Sequence, residues 1–389
     1  MILDPMNMRS SKSFSRLTIG SLLMVSASIG SAQNYMDGSI MHDGLQRDYK
    51  IYVPAIYQPG TPVPVVFNFH GYTSDNFQQS LYADFRSIAD TANFIIVLPN
   101  GTLDPQGNRF WDTFGLGQVD DLGFVAALLD TLSLQYTIEA DRVYSTGMSN
   151  GGFMSYDLAC FQSDRFAAIA SVTGTMITPR LAACNATHPT PVMQIHGTAD
   201  PTVNYGGGGG FVGIEDLVQH WVQFNNCSAT PVITDVPNVN TTDGCTAQHY
   251  VYSGGDLGSS VEFFKIIGGG HTWPGAPFIV GVTNLDINAC KEIWRFFNQY
   301  TLSQFVGVAE QVHSTASFTV GPNPSLDSFT LRFEQPTIRT IRIENATGQV
   351  VRQVVTSSTM LEFTLEAEGV YLVHVLEGST SSIQRVVKL

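Results

Sequence analysis

The sequence predicts an α/β chain, with a mainly parallel central sheet covered by helices on both faces, followed by a small all-β sandwich. Three observations carry this expectation. From residue 33 onward, short apolar runs alternate with longer stretches of helical character, the spacing of strands and crossover helices in a parallel sheet. At Gly147-Met-Ser149-Asn-Gly151 one apolar run passes straight into a helix through a serine flanked by glycines. After residue 302 the helical stretches cease, and short alternating runs separated by turn residues replace them, as a sandwich requires.

Taken in order, residues 1–32 hold Arg9, Lys12 and Arg16, then the apolar Leu17–Val25, then Gly30-Ser-Ala32. This is the pattern of a secretory signal peptide cut after Ala32. Met8 is the alternative start, because the residues before it add nothing to such a signal. The apolar segment falls short of the ~18 residues of a membrane span, and no cysteine at the cut offers a lipid anchor. Residues 33–302 form the first predicted domain. Its predicted strands are 47–53, 65–69, 94–98, 143–146, 167–172 and 191–195, and 47–53 alternates as an edge strand would. Its predicted helices are 77–92 and 120–136, with Asp120 and Asp121 as helix caps, then the helix after Ser149. A helix at 214–224, a hairpin ending at 261–267 and a last helix at 288–297 complete it. Residues 303–317 read as a linker and 318–389 as the β-sandwich.

The residues that carry chemistry lie at the ends of these predicted strands. A serine held on a sharp strand-to-helix turn is the arrangement called a nucleophile elbow, and the crowded turn demands small neighbours. Ser149 is therefore the candidate nucleophile. The strand-like Pro191–Gly197 runs into Thr198-Ala-Asp200, and Val261–Ile267 runs into Gly268-Gly-Gly-His271. Asp200 and His271 are the candidate acid and base, each just past a strand end, where catalytic groups of open α/β sheets gather. Asp164, Asp216, Asp235, Asp243 and Asp256 lack that context and read as turn or helix residues. Among the nine histidines, His70 and His196 precede glycines at strand ends and read as packing or loop-bracing groups. Two backbone amides are needed for a developing oxyanion. Asn150 supplies one, and Tyr72, after His70-Gly71, supplies the other, with Thr73 as the fallback. Trp273 and Trp111 are candidate substrate contacts, Trp273 with the alternative of anchoring the histidine loop. The glycine run in Tyr205–Phe211 is either a mobile cleft wall or a featureless linker.

Composition narrows the partners. The chain carries a formal charge of −14. Three of its cations and Asp4 fall in the signal segment, so the mature chain is more acidic still. That surface disfavours nucleic acid and anionic membranes. With 43% hydrophobic and 13% charged residues the chain is globular and not disordered. Five cysteines in a secreted chain suggest two disulfides and one free thiol. The expected pairs are Cys160 with Cys184 and Cys227 with Cys245, leaving Cys290 buried and free. No cysteine–histidine spacing resembles a zinc site, and neither metal nor organic cofactor is implied.

The blocks Gly147–Gly152, His196–Pro201 and Gly268-Gly-Gly-His-Thr-Trp-Pro-Gly275, with Val119-Asp-Asp-Leu-Gly-Phe124, together resemble the secreted poly(3-hydroxybutyrate) depolymerase and feruloyl esterase family. The resemblance runs from about Asn34 to Leu302. It implies an α/β-hydrolase fold and a serine carboxylic-ester hydrolase whose nucleophile, acid and base fall on Ser149, Asp200 and His271. Feruloyl or acetyl esters of plant polysaccharide rank first as substrates, and polyhydroxybutyrate is the alternative. A non-catalytic surface binding protein is the contrasting class. Pro322-Asn-Pro324, Asn345–Gly348 and Gly369-Val-Tyr371 resemble a type IX secretion sorting domain. That resemblance implies export of a monomeric esterase through the periplasm of a Gram-negative cell to its surface or beyond.

Overall fold

The computed structural model describes residues 34–115, 119–306, 318–345, 349–377 and 380–389. The signal segment, most of the expected linker and the Ala346–Gly348 turn lie outside the described residues.

In chain order the first domain comprises β1 (Met36–His42), β2 (Leu45–Tyr52), β3 (Val63–Phe69), α1 (Asn76–Tyr82), α2 (Arg86–Ala92) and β4 (Ile95–Pro99). A two-residue ribbon, β5 (Thr102–Leu103) and β6 (Arg109–Phe110), precedes α3 (Asp121–Gln135), β7 (Ile138–Met148) and α4 (Asn150–Phe161). Then come β8 (Ala168–Val172), α5 (Thr178–Ala182), β9 (Val192–Gly197), α6 (Ile214–Phe224), β10 (Val232–Asp235), β11 (Thr246–Tyr252), β12 (Val261–Ile267) and α7 (Ala289–Phe297). The sheet order is β1-β2-β4-β3-β7-β8-β9-β12-β11-β10. Its centre, from β4 to β12, is parallel, and antiparallel strands flank it. This is the expected α/β architecture.

Every residue of β3, β4, β8 and β9 is buried. Helices cover both faces there, so these strands are mainly apolar with no alternation, and their few polar residues, Asn68, Ser171, Gln194 and His196, are buried too. All of α4 except its last residue is buried, which is why it shows no polar face. By contrast, α6 and α7 bury one side only.

The expected helix over 77–92 is two helices. Between them Ala83 and Phe85 are fully buried. Asn68 donates its side-chain amide to the Ala83 carbonyl (3.1 Å), and the Asp84 carboxylate accepts the Arg86 N–H (3.0 Å). The Asn68 bond and the burial of Ala83 and Phe85 break a helix that the pattern leaves continuous, with the local Asp84 contact at the start of the second helix. Only one of the two expected caps of α3 acts as such. Asp120 accepts from the Gly123 N–H (2.8 Å). Asp121 turns inward to Arg47 at 2.6 Å, and both side chains are buried.

Cys160 and Cys184 are bonded. The second expected disulfide is absent, because Cys227 and Cys245 are free thiols. Cys227 follows α6 beside Ser228, which bonds Ser253 just past the end of β11. Cys245 sits just before the other end of β11, against Asn284. A seven-residue strand holds its ends roughly 20 Å apart at about 3.4 Å per residue, so no bridge can form. Cys290 is buried and free. Because Cys160 and Cys184 close a loop across 24 residues, replacing both by serine should cost about 3 kcal/mol of stability. A lowered urea midpoint with a somewhat steeper slope, as the freed unfolded chain expands, is the expected reading.

The second unit is all antiparallel β. One sheet contains β13 (Phe318–Gly321), β14 (Ser328–Phe333) and β17 (Met360–Thr364). The other runs β16 (Val350–Thr356), β15 (Arg339–Asn345), β18 (Gly369–Glu377) and β19 (Thr380–Lys388). Phe329, Leu331, Ile341, Ile343, Val373 and Val375 form its core.

Candidate active site

Ser149 stands at the carboxyl end of β7 with φ 55° and ψ −121°, a backbone state that side chains rarely adopt and that active sites retain. Crowding enforces the flanking glycines. A Cβ on Gly151 would lie 2.2 Å from the Phe69 carbonyl oxygen, and one on Gly147 would lie 2.5 Å from the Gly151 backbone. The Ser149 N–H donates to Val172 of β8 (2.8 Å), and its carbonyl accepts from Gly152 and Phe153, starting α4.

The acid and base candidates meet because β9 and β12 are parallel neighbours in register, with Gly197 opposite Ile266. Their loops leave the sheet side by side, tied by Thr198 N–H to the Ile266 carbonyl (2.8 Å) and Ala199 N–H to the Gly269 carbonyl (3.0 Å). His271 Nδ1 lies 2.7 Å from Asp200 Oδ2. With a carboxylate as partner, Nδ1 carries the proton and Nε2 keeps its lone pair. The other oxygen, Oδ1, accepts the N–H groups of Thr202 and Val203 (2.8 and 2.9 Å). Burial opposes ionisation of Asp200, but the His271 hydrogen bond and charge outweigh it, and the carboxyl stays below its ordinary range.

His196 lies fully buried behind this pair, its Nε2 2.9 Å from the Val203 carbonyl and 3.4 Å from Asp200 Oδ2. Burial pushes its pKa down to about 4, so it is neutral and donates to the carbonyl. It braces the acid loop.

On the other side of the serine, a Cβ on Gly71 would lie 3.3 Å from Ser149 Cβ, so the His70-Gly71-Tyr72 turn borders the nucleophile directly. The Thr73 N–H is engaged by the Arg109 carbonyl (2.9 Å). That leaves Tyr72 as the donor candidate at this turn, with Asn150 at the head of α4 as its counterpart. The Tyr72 hydroxyl donates to Asp104 (2.6 Å) and accepts from Asn108 (3.1 Å) at the mouth of the site.

A cleft of about 400 Å³ opens beside Ser149, walled by Tyr72, Phe110, Phe114, Phe153, Val203 and Phe211. The Phe153 and Phe211 rings meet edge to face at 5.5 Å. Phe211 closes the glycine run, whose backbone is pinned by Thr178 N–H to the Gly210 carbonyl and Val212 N–H to the Met176 carbonyl (both 2.9 Å). The run ends in a cleft-wall residue, Phe211, and its own backbone is held by the hydrogen bonds just given. Sequence reasoning missed Phe114, Phe153 and Phe211 as wall residues. The available signals were that Phe153 stands one helical turn past Ser149 and Phe211 ends the run after the acid loop.

Trp111 lies along the cleft beside Ser149 with its side chain buried, as one of the two expected contacts, whereas Trp273 is not among the residues that line the cleft. Trp273 is buried against Phe85, edge to face at 6.3 Å, and anchors the histidine loop. Trp111 is fully buried, its Nε1 donating to the His70 carbonyl (2.9 Å). Both rings pack into the layers that shape the loops, where indoles contribute most through burial. Among the described residues no group of His, Cys, Asp and Glu side chains converges as a metal site, and no helix is long and apolar enough to cross a membrane.

Comparison with known proteins agrees with this fold. Residues 122–219, which include Ser149 and Asp200, match the phospholipase/carboxylesterase family, and residues 319–389 match the secretion system C-terminal sorting domain. A bifunctional acetylxylan esterase/xylanase from Neocallimastix patriciarum is 29% identical over 260 residues, 67% of this chain but only 34% of that protein. A probable feruloyl esterase C from Aspergillus niger is 24% identical over 261 residues, covering 63% of this chain and 88% of its own length. The structure of an acetyl xylan esterase from Aspergillus awamori superimposes with a TM-score of 0.50 at 14% identity, over 68% of this chain and 99% of that one. The chain thus joins an α/β-hydrolase fold, matched in part by the phospholipase/carboxylesterase family, to a unit matched by the secretion system C-terminal sorting domain.

Proposed function

We propose that Ser149, His271 and Asp200 are the nucleophile, base and acid of a secreted serine esterase. His271 Nε2 takes the Ser149 hydroxyl proton as Oγ attacks the ester carbonyl. The tetrahedral oxyanion is held by the Tyr72 and Asn150 amides. Collapse expels the alcohol, which takes the proton from His271, and leaves an acyl-enzyme. Water activated by His271 then releases the acid. The observation that carries this reading is the 2.7 Å bond from His271 to Asp200, on loops adjoining the sheet end where Ser149 holds its left-handed turn.

Feruloyl-type esters of plant polysaccharide rank first as substrates, and acetyl esters second. Four phenylalanine rings around the cleft suit an aromatic acyl group, whereas an acetyl group leaves most of that apolar surface uncovered and forgoes about 25 cal/mol per Å². Feruloyl and acetylxylan esterases among the relatives favour the same classes. A polyester is the second reading, favoured by the exposed Phe278, Ile279 and Val280 on the loop that follows the His271 block. Side-by-side hydrolysis of methyl ferulate, acetylated xylan and a hydroxybutyrate oligomer decides among them, with methyl ferulate expected to give the highest kcat/KM. Phe211→Ala should lower kcat/KM for methyl ferulate about tenfold, the scale of one aromatic contact, and leave p-nitrophenyl acetate within about threefold. Equal losses on both esters would remove the acyl-pocket role.

The sorting domain assigns the chain to export. We propose that type IX secretion machinery recognises it after passage through the periplasm, delivering a monomeric esterase to the cell surface or medium.

A further inference from the structure

We propose that His70 and Trp111 form an internal brace that sets the oxyanion hole, His70 by fixing the peptide plane that carries the Tyr72 N–H. The inference rests on the reading of Ser149 as nucleophile.

His70 is fully buried, and its two ring nitrogens have different partners. Nε2 receives the Gly101 N–H at 3.0 Å, and a backbone amide can only donate. Nε2 must therefore be the unprotonated nitrogen. The proton sits on Nδ1, which lies 2.8 Å from the Gly71 carbonyl oxygen and donates to it. Burial, which pushes the ring's pKa down to about 4, keeps this neutral tautomer in place. In a trans peptide the C=O and the following N–H point in opposite directions. Holding the Gly71 oxygen on the His70 side thus turns the Tyr72 N–H the other way, at a turn that touches Ser149. The Ser74 N–H grips the same carbonyl at 3.2 Å.

Trp111 ties this half of the hole to the other. Its indole Nε1 donates to the His70 carbonyl at 2.9 Å, and its ring lies 5.1 Å from the imidazole. Its backbone N–H donates to Asn150 Oδ1 (2.7 Å), and its carbonyl accepts from Asn150 Nδ2 (3.1 Å). The residues carrying the two donor amides, Tyr72 and Asn150, are thereby linked through one buried residue, the His70 turn by the Trp111 indole and Asn150 by the Trp111 backbone. An unrestrained peptide plane can flip and put a carbonyl where the oxyanion must form. Preorganisation of such donors is where much transition-state stabilisation arises.

His70 and Trp111 are accordingly positioning residues, and their loss should act on turnover and not on substrate affinity. His70→Leu should lower kcat about 10²-fold, the scale of one lost oxyanion donor, with KM within about threefold. His70→Asn, whose side-chain amide can take the Nδ1 role, should recover at least tenfold of that loss. Trp111→Phe keeps an aromatic ring but removes the indole N–H along with part of the ring system, and should lower kcat five- to tenfold, again without raising KM. Rates are taken per active site titrated by the p-nitrophenol burst, so poorly folded material does not count. If His70→Leu fails to fold, the Asn and Phe variants still decide. The proposal is overturned if His70→Leu keeps kcat within threefold, if the Asn variant is no better than the Leu variant, or if the losses appear in KM. A burst that persists while His70→Leu turns over normally would sink the brace alone. Substantial turnover by Ser149→Ala would sink the nucleophile reading beneath it.

Discussion

Replacing Ser149 by alanine is expected to lower kcat by on the order of 10⁶-fold, the loss seen when a triad nucleophile is removed, with the fold intact. The hydroxyl is the proposed attacking group. The backbone that presents it does not depend on it, because the Ser149 N–H and carbonyl bonds to Val172, Gly152 and Phe153 are main-chain bonds. Alanine inherits the same strained φ of 55°, so stability should stay within about 0.5 kcal/mol. Ser149→Gly offers a sharper comparison. It loses the same activity, but it relieves backbone strain of the 1–3 kcal/mol scale and should raise the melting temperature. A surface binding protein that had merely kept the fold would retain its function in both variants. Substantial ester hydrolysis by Ser149→Ala would end the mechanistic reading.

Asp200→Asn should lower kcat about 10⁴-fold, the scale of the corresponding change in a triad of this type. The carboxylate accepts His271 Nδ1–H at 2.7 Å. An amide placed there presents its NH₂ or its oxygen, and with the NH₂ facing Nδ1 it selects the wrong tautomer and leaves Nε2 protonated. The loop itself should survive. Asp200 Oδ1 accepts from Thr202 and Val203, and the asparagine oxygen can keep both bonds. Substrate KM should therefore change little, while kcat and kcat/KM fall together. The stability effect has a definite sign. The folded-state pKa of Asp200 is depressed, so its stabilisation is present above the unfolded carboxyl value and fades as pH falls through the folded one. The asparagine variant should lose less stability than the parent over that acid range. A loss of only tenfold in kcat would mean that Asp200 does not hold the base.

How much was legible follows from how local each feature is. Ser149 is announced by its own neighbours, because the turn excludes any Cβ at Gly147 and Gly151. The predicted strands into Asp200 and His271 exist as β9 and β12, since strands of a largely buried sheet are rich in apolar residues. The helix at 77–92 was misread as one because its interruption comes from Asn68 and from buried Ala83 and Phe85. No helix-breaking residue marks the site. Asp121 sits where a cap is expected and is instead buried against Arg47, a partner 74 residues away.

By itself, then, the sequence determined the residue types and their places on the chain: an elbow serine, an acid and a histidine past strand ends, and an all-β tail. These follow from steric and hydrophobic demands that act over a few neighbouring residues. Only the tertiary structure decided that Cys227 and Cys245 stand apart at opposite ends of β11, that Trp111 and Trp273 are buried, and that Phe114, Phe153 and Phe211 line the cleft. It also decided that His70 is neutral with its proton on Nδ1. Each of those depends on which distant segments the sheet brings together, and strand order sets that, beyond the reach of any local pattern.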